Sequence, residues 1–268
     1  MAHVTCLAAA RHSLLLEDRG WDVERQGLSG APPIRVLASN RHGSIDRAVR
    51  LLGIGDGNIV SLALDDQSRV TPTALEAALT ASPAAATIVV LQAGDLNSGT
   101  FDDYQALIPL AKQHGAWVHL DGAFGLWVRA SAAHRHLLDG MEHADSWATD
   151  GYKWLNVPYD SGYAFVAKPA VHAAALSYRA SYLSHELDAR DQIDWNPEWS
   201  RRARGFATYA SSANWAAQVS PRWWTIVAGT LVHSSTASPN SPALNCSGNP
   251  RSIKASFASS THNLALPK

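Results

Sequence analysis

Two polar residues stand where apolar runs stop. Asp121 follows Trp117-Val118-His119-Leu120, and Lys153 lies 32 positions later in Asp150-Gly151-Tyr152-Lys153-Trp154-Leu155. A lysine in a Gly-containing turn, followed at once by aromatic and apolar residues, is placed to shed water and act as an amine nucleophile. A carboxylate at a strand end can hold the proton of a heteroaromatic nitrogen. Together the two groups could grip an aromatic aldehyde from its two reactive ends. A third polar stretch, Gly94-Asp95-Leu96-Asn97-Ser98-Gly99, follows Thr87-Ile88-Val89-Val90-Leu91-Gln92. Each stretch taken singly is also ordinary turn chemistry.

The surrounding pattern says what must position these groups. Val4 to Leu16 is rich in Ala and Leu and reads as a helix; Ile34 to Ala38 is a short strand after two prolines. Ser44 to Leu52 puts Ile45, Ala48, Val49 and Leu52 on one helical face, and Gly53 ends it. Then come a strand over 59–64, a helix over 73–80, a strand over 87–92, a helix over 103–114 closed by Gly115, and a strand over 116–120. Short β-branched runs separated by helices predict a mostly parallel sheet covered on both faces, a three-layer α/β/α fold. In such sheets ligands bind beyond the carboxyl ends of the strands, where Asp121 and Asn97-Ser98 fall.

Composition narrows the class. The 268 residues are 46% hydrophobic and 17% charged, ordinary globular values for a chain long enough to bury a sizeable core. The two cysteines, Cys6 and Cys246, make no framework and no C-x-x-C pair, which points to a reducing, cytoplasmic setting. No apolar run reaches the length of a membrane span and no export signal opens the chain. All 23 acidic residues lie at or before Glu198, while seven of the 22 basic ones lie after it. That basic excess is scattered, so nucleic acid is not an expected partner. His134-Arg135-His136 lacks a completing carboxylate or cysteine, and no metal site is expected. A G-x-S-x-G elbow and phosphate-loop or dinucleotide signatures are absent.

The chain resembles the pyridoxal-phosphate-dependent group II amino-acid decarboxylases, the family of aromatic-amino-acid, glutamate and tyrosine decarboxylases. The resemblance spans about residues 1–210. Four motifs carry it, in family order: His42 with Gly43-Ser44-Ile45-Asp46, Ala93 to Asp102, His119-Leu120-Asp121-Gly122-Ala123-Phe124-Gly125, and Asp150 to Gly162. It implies the fold-type I large domain, incomplete here, pyridoxal 5'-phosphate as cofactor, and an amino acid as the small-molecule substrate. It also implies a homodimer.

Roles follow from the same resemblance. Lys153 resembles the Schiff-base lysine and Asp121 the carboxylate on the pyridine nitrogen. Ala123 would lie on one face of the cofactor ring and His42 on the other. Asn97 and Ser98 occupy the turn lining the ring, and Asp150 the place of a polar residue near the phosphate. Tyr182 resembles the loop tyrosine that protonates the substrate carbon after carbon dioxide leaves. Another fold-type I enzyme, an aminotransferase or a carbon–sulfur or carbon–carbon lyase, is the alternative, as is a non-catalytic remnant.

Three departures from the family pattern are expected to matter. Tyr152 stands where the family usually has His. Met1-Ala2-His3-Val4-Thr5 resembles the start of the helix that follows the phosphate-cradling loop, so that loop and the dimer-forming arm before it are expected to be missing. Beyond residue 210 the chain turns Ser-rich, without a single acid. Read one nucleotide out of frame, codons for Ser212 onward can spell L-R-Q-L-G-R-S-G-V-A-E-M-V, which looks like family sequence. Residues 211–268 are therefore expected to be a frameshift product, the alternative being a Ser-rich linker or regulatory tail.

Overall fold

The computed structural model describes residues 1–178 and 191–218. Its first element, α1 (Ala2–Arg19), ends on Gly20 in the left-handed region at φ 66, whose N–H bonds the Leu16 carbonyl at 2.9 Å. Glycine adopts that conformation without a Cβ penalty, so the helix stops there. A four-residue turn, α2 (Val23–Gln26), is capped by Asp22 and leads into β1 (Ile34–Ala38). His42 is the N-cap of α3 (Gly43–Leu51). After β2 (Ile59–Ser61), Thr71 caps α4 (Pro72–Ala81) with proline in its first turn, where the missing N–H costs nothing. β3 (Ala86–Gln92), α5 (Tyr104–Gln113) and β4 (Trp117–Asp121) continue the alternation.

Among the described residues the remaining strands and α-helices are β5 (Ser146–Asp150), the single-turn α6 (Gly151–Trp154), β6 (Gly162–Val166), α7 (Pro169–Leu176) and α8 (Arg204–Gln218). The sheet order is β2-β1-β3-β4-β5-β6, with β6 alone antiparallel. The expected mostly parallel α/β sheet is what the chain forms. One strand is shorter than its pattern: after Ser61 the Leu62 N–H turns to Ser39 Oγ at 2.8 Å, and Leu64 makes an isolated antiparallel bridge with Val70.

Side-chain alternation along the strands builds two cores. Val36, Ile88, Val90 and Trp117 pack with α1, α3 and α7, while Leu37, Val89, Leu91, Val118 and Leu120 pack with α4 and α5. β3 is buried along its whole length, as a central strand covered on both faces must be. α8 runs without a break across residue 210, where the composition changes.

Candidate active site

β4 and β5 are neighbours in parallel register, Asp121 opposite Ala148, so both strands deliver their last residues to the same edge. Asp121 ends β4, and Asp150 ends β5 just before the α6 turn that carries Lys153. The Gly122 N–H bonds the Ala148 carbonyl at 2.9 Å, and Thr149 Oγ1 donates to the Gly122 carbonyl at 2.8 Å. These bonds hold the turn after Asp121 against the start of α6.

A cavity of about 180 Å³ opens at this edge. Its wall includes His3, His42, Ser44, Ala123, Asp150, Tyr152 and Lys153. The Lys153 ammonium lies 2.9 Å from Asp150 Oδ2 and 4.0 Å from the centre of the Phe124 ring. Tyr152 donates to the same Asp150 oxygen at 2.9 Å and stacks on Tyr159 with ring centres 4.1 Å apart. Burial, first, and the nearby Asp150 charge push the Tyr152 phenol above its ordinary range, so it stays a donor. His42 lies across the cavity, its Nδ1 accepting from the Ser44 N–H at 3.2 Å.

Asp121 is only 4% exposed and is not part of that wall. Its Oδ1 accepts the Ala123 N–H at 3.2 Å, and its Oδ2 lies 3.6 Å from Nε2 of His3, which is in the wall. Asn97 and Ser98 stand apart in the turn after β3, where Asp95 Oδ1 gathers both of their N–H groups. Neither lines the cavity. Tyr182 lies outside the described residues. Sequence reading thus named Lys153, Asp121, Ala123, His42 and Asp150, which come together. It passed over His3, Ser44 and Phe124. Alternation gave a usable signal for one further residue, because Trp117, His119 and Asp121 must share a face of β4.

A larger cleft of about 360 Å³ shares Met1, Ala2, Asp160 and Gly162 with this cavity but contains neither Lys153 nor Ala123. Arg204 grips Asp160 there with two bonds of 2.8 and 2.7 Å, so the charge at this shared wall is already answered. The smaller cavity is the one lined by Lys153, Ala123 and Asp150. No group of three or more His, Cys, Asp or Glu suited to a metal ion occurs among the described residues.

The chain is similar to several known proteins. The cysteine sulfinic acid decarboxylase of Rattus norvegicus is 33% identical over 138 residues, covering 50% of this chain and 28% of that protein. The aspartate 1-decarboxylase of Aliivibrio fischeri is 29% identical over 194 residues, covering 68% and 35%. The chain thus spans about a third or less of these two relatives. Among solved structures, mouse CSAD in apo form superposes with a TM-score of 0.72 at 23% identity, over 83% of this chain and 47% of that one. Oryza sativa TDC with PLP and tryptamine gives 0.71 at 24%, over 80% and 45%. Both share the fold. The family model described as the pyridoxal-dependent decarboxylase conserved domain matches residues 1–212, and the chain belongs to that family.

Proposed function

We propose that this chain is the coenzyme-holding part of a carboxy-lyase that decarboxylates an L-amino acid with pyridoxal 5'-phosphate. One observation carries the reading: the Lys153 amine, the His42 imidazole and the small Ala123 side chain share a cavity at whose back, next to His3, sits the Asp121 carboxylate. An amine for an aldehyde, a carboxylate for a ring nitrogen and two flanking groups for a flat ring are the donor set this coenzyme needs.

For the phosphate, this chain offers the start of α1. Met1, Ala2 and His3 line the cavity, and the first intrahelical bond of α1 is made by the Thr5 N–H, leaving the N–H groups before it without helical partners. Such a helix start favours an anion. The two acids in the wall are offset, Asp150 by Lys153 and Tyr152, Asp160 by Arg202 and Arg204.

When bound, the coenzyme supplies an electron sink that lets the substrate carboxylate leave as carbon dioxide. Lys153 would hold its aldehyde and Asp121 its ring nitrogen, while His42 and Ala123 would flank the ring. Asp150 would keep the Lys153 amine in place. Asn97 and Ser98 would act from the β3 turn, and Tyr182 would give a proton to the substrate carbon. The same family reading makes the assembled protein a cytoplasmic homodimer.

The test is direct. The chain incubated with pyridoxal phosphate is expected to develop a visible absorption band that borohydride fixes onto the peptide containing Lys153, and Lys153→Ala is expected to lose both. Carbon dioxide release from a panel of L-amino acids then identifies the substrate. A labelled peptide elsewhere, or no band, overturns the assignment.

A further inference from the structure

A line of buried polar groups runs under the site and ends on Asp121. Trp117 Nε1 lies 2.9 Å from Ser146 Oγ, and Ser146 Oγ lies 2.9 Å from Nδ1 of His119. His119 Nε2 lies 3.0 Å from Nδ1 of His3, and His3 Nε2 lies 3.6 Å from Asp121 Oδ2. The sheet register builds it: Trp117, His119 and Asp121 share one face of β4, and His119 is paired with Ser146 on β5. His3 meets them from the first turn of α1. His119 and Ser146 are fully buried.

The two ends point to one direction of donation. An indole N–H can only donate and an ionised carboxylate can only accept. Trp117 therefore donates to Ser146, and the polarity in which the Ser146 hydroxyl donates to His119 Nδ1 and His119 Nε2–H to His3 Nδ1 leaves an Nε2–H on His3 facing Asp121 Oδ2 across 3.6 Å. The opposite polarity would set the bare Nε2 lone pair of His3 against the carboxylate. We propose that His3 is a positioning residue for Asp121: the Trp117–Ser146–His119 line holds its ring as the neutral Nε2–H tautomer and aims that N–H at the carboxylate meant for the coenzyme's ring nitrogen.

Burial lowers the affinity of both imidazoles for a second proton, that of His119 strongly. Around His3, Asp121 and Asp150 oppose that effect, while the amino terminus, Lys153 and the burial itself favour the neutral ring. The line also accounts for a histidine at the cavity wall that no step of the proposed chemistry uses. Helix α1 thereby contributes to the site by fixing the direction of a carboxylate on the sheet.

The role rests on the coenzyme reading, but its first test does not. Nitrogen-15 spectra of the full chain without coenzyme, at neutral pH, are expected to show both His3 and His119 as neutral rings protonated on Nε2. In Ser146→Ala, His119 is expected to lose its single tautomer while the chain stays folded. The second test measures pyridoxal phosphate affinity. His3→Phe, which keeps a ring but removes the donor, is expected to weaken it about tenfold. His3→Gln, whose amide N–H reaches about the place of Nε2, is expected to restore most of the loss. A doubly protonated His3, an Nδ1–H tautomer at either ring, or a His3→Phe variant binding as tightly as the parent overturns the proposal. Failure of the parent chain to bind the coenzyme counts against the proposed function, and the spectra still decide the tautomers.

Discussion

At Asp150 a single carboxylate oxygen receives both the Lys153 ammonium and the Tyr152 hydroxyl, each at 2.9 Å. The family's usual histidine at position 152 could do the same only in a protonated or correctly oriented form, whereas a phenol always has one proton to give. A different carboxylate supports the strand end behind the site. Asp102, 6% exposed, accepts the N–H groups of Val70 and Gln92 at 2.9 and 2.8 Å. Burial raises its pKa to about 6 against those two donors. A carboxyl whose pKa is higher folded than unfolded binds its proton more tightly in the native state, so its contribution to stability is largest below the unfolded value near 4. That contribution falls as pH rises toward 6 and is flat beyond, a change of roughly 3 kcal/mol at about 1.4 kcal/mol per pH unit. Denaturant titrations at pH 4 and pH 7 are expected to show the stability difference between the parent and Asp102→Asn shifting by that order in favour of Asn at the higher pH. An equal difference at both pH values would contradict the buried-carboxyl account.

Among the elements, the β5–α6 junction is the one on which the site depends most. Lys153 is aimed by a single helical turn, which is too short to hold itself and is fixed by the strands on either side. Gly151 opens that turn, and its N–H bonds the Ser161 carbonyl at 2.8 Å. A Cβ at Gly151 would lie 2.1 Å from Tyr163 Oη, and Tyr163 in turn bonds Thr208 of α8 at 2.8 Å. The tyrosine is therefore tied in place and cannot simply swing aside. Gly151→Ala is expected to cost about 2 kcal/mol by overpacking, which corresponds to a melting temperature lower by roughly 4–8 °C, and to reduce labelling of Lys153 by more than the lost stability explains. Thermal melts with the borohydride labelling assay check both parts. Such a junction shows the division between what the chain's pattern tells and what it hides. Apart from the short α2, the helices and strands through β4 were legible because their apolar residues recur at period 3.6 or run as β-branched blocks, and the motif positions of Asp121 and Lys153 named two residues at one edge of the sheet. The shortening of β2 was not, since it depends on the Ser39 hydroxyl capturing the Leu62 N–H. Nor was the His3–His119 contact, which joins residues 116 positions apart and exists only once α1 lies across the sheet.

For the molecule as a whole, the two cores show where the described residues bury their apolar side chains. Among the described residues, those buried in the two clusters lie between Leu7 and Ala175, and the family match ends at residue 212. α8 still belongs to the folded part, because Thr208 bonds Tyr163 and Ser211 Oγ donates to the Leu155 carbonyl at 2.7 Å, just behind the Lys153 turn. Its contacts with the site come from residues on both sides of position 210, so a boundary drawn from composition alone would cut through a helix that the site uses. Removing residues 219–268 is expected to leave the melting temperature within about a degree of the parent and the coenzyme affinity unchanged. Removing residues 204–268 is expected to lower both, since it strips Thr208 from Tyr163 and leaves Asp160 with Arg202 alone of its two arginines. Paired melts and coenzyme titrations of the two shortened chains separate the contributions, and equal behaviour of the pair would mean that α8 does not support the Lys153 turn. Sequencing the gene around codon 210 tests the frameshift expectation independently: an insertion or deletion there would give residues 211–268, the second half of α8 included, a different origin from the residues before them.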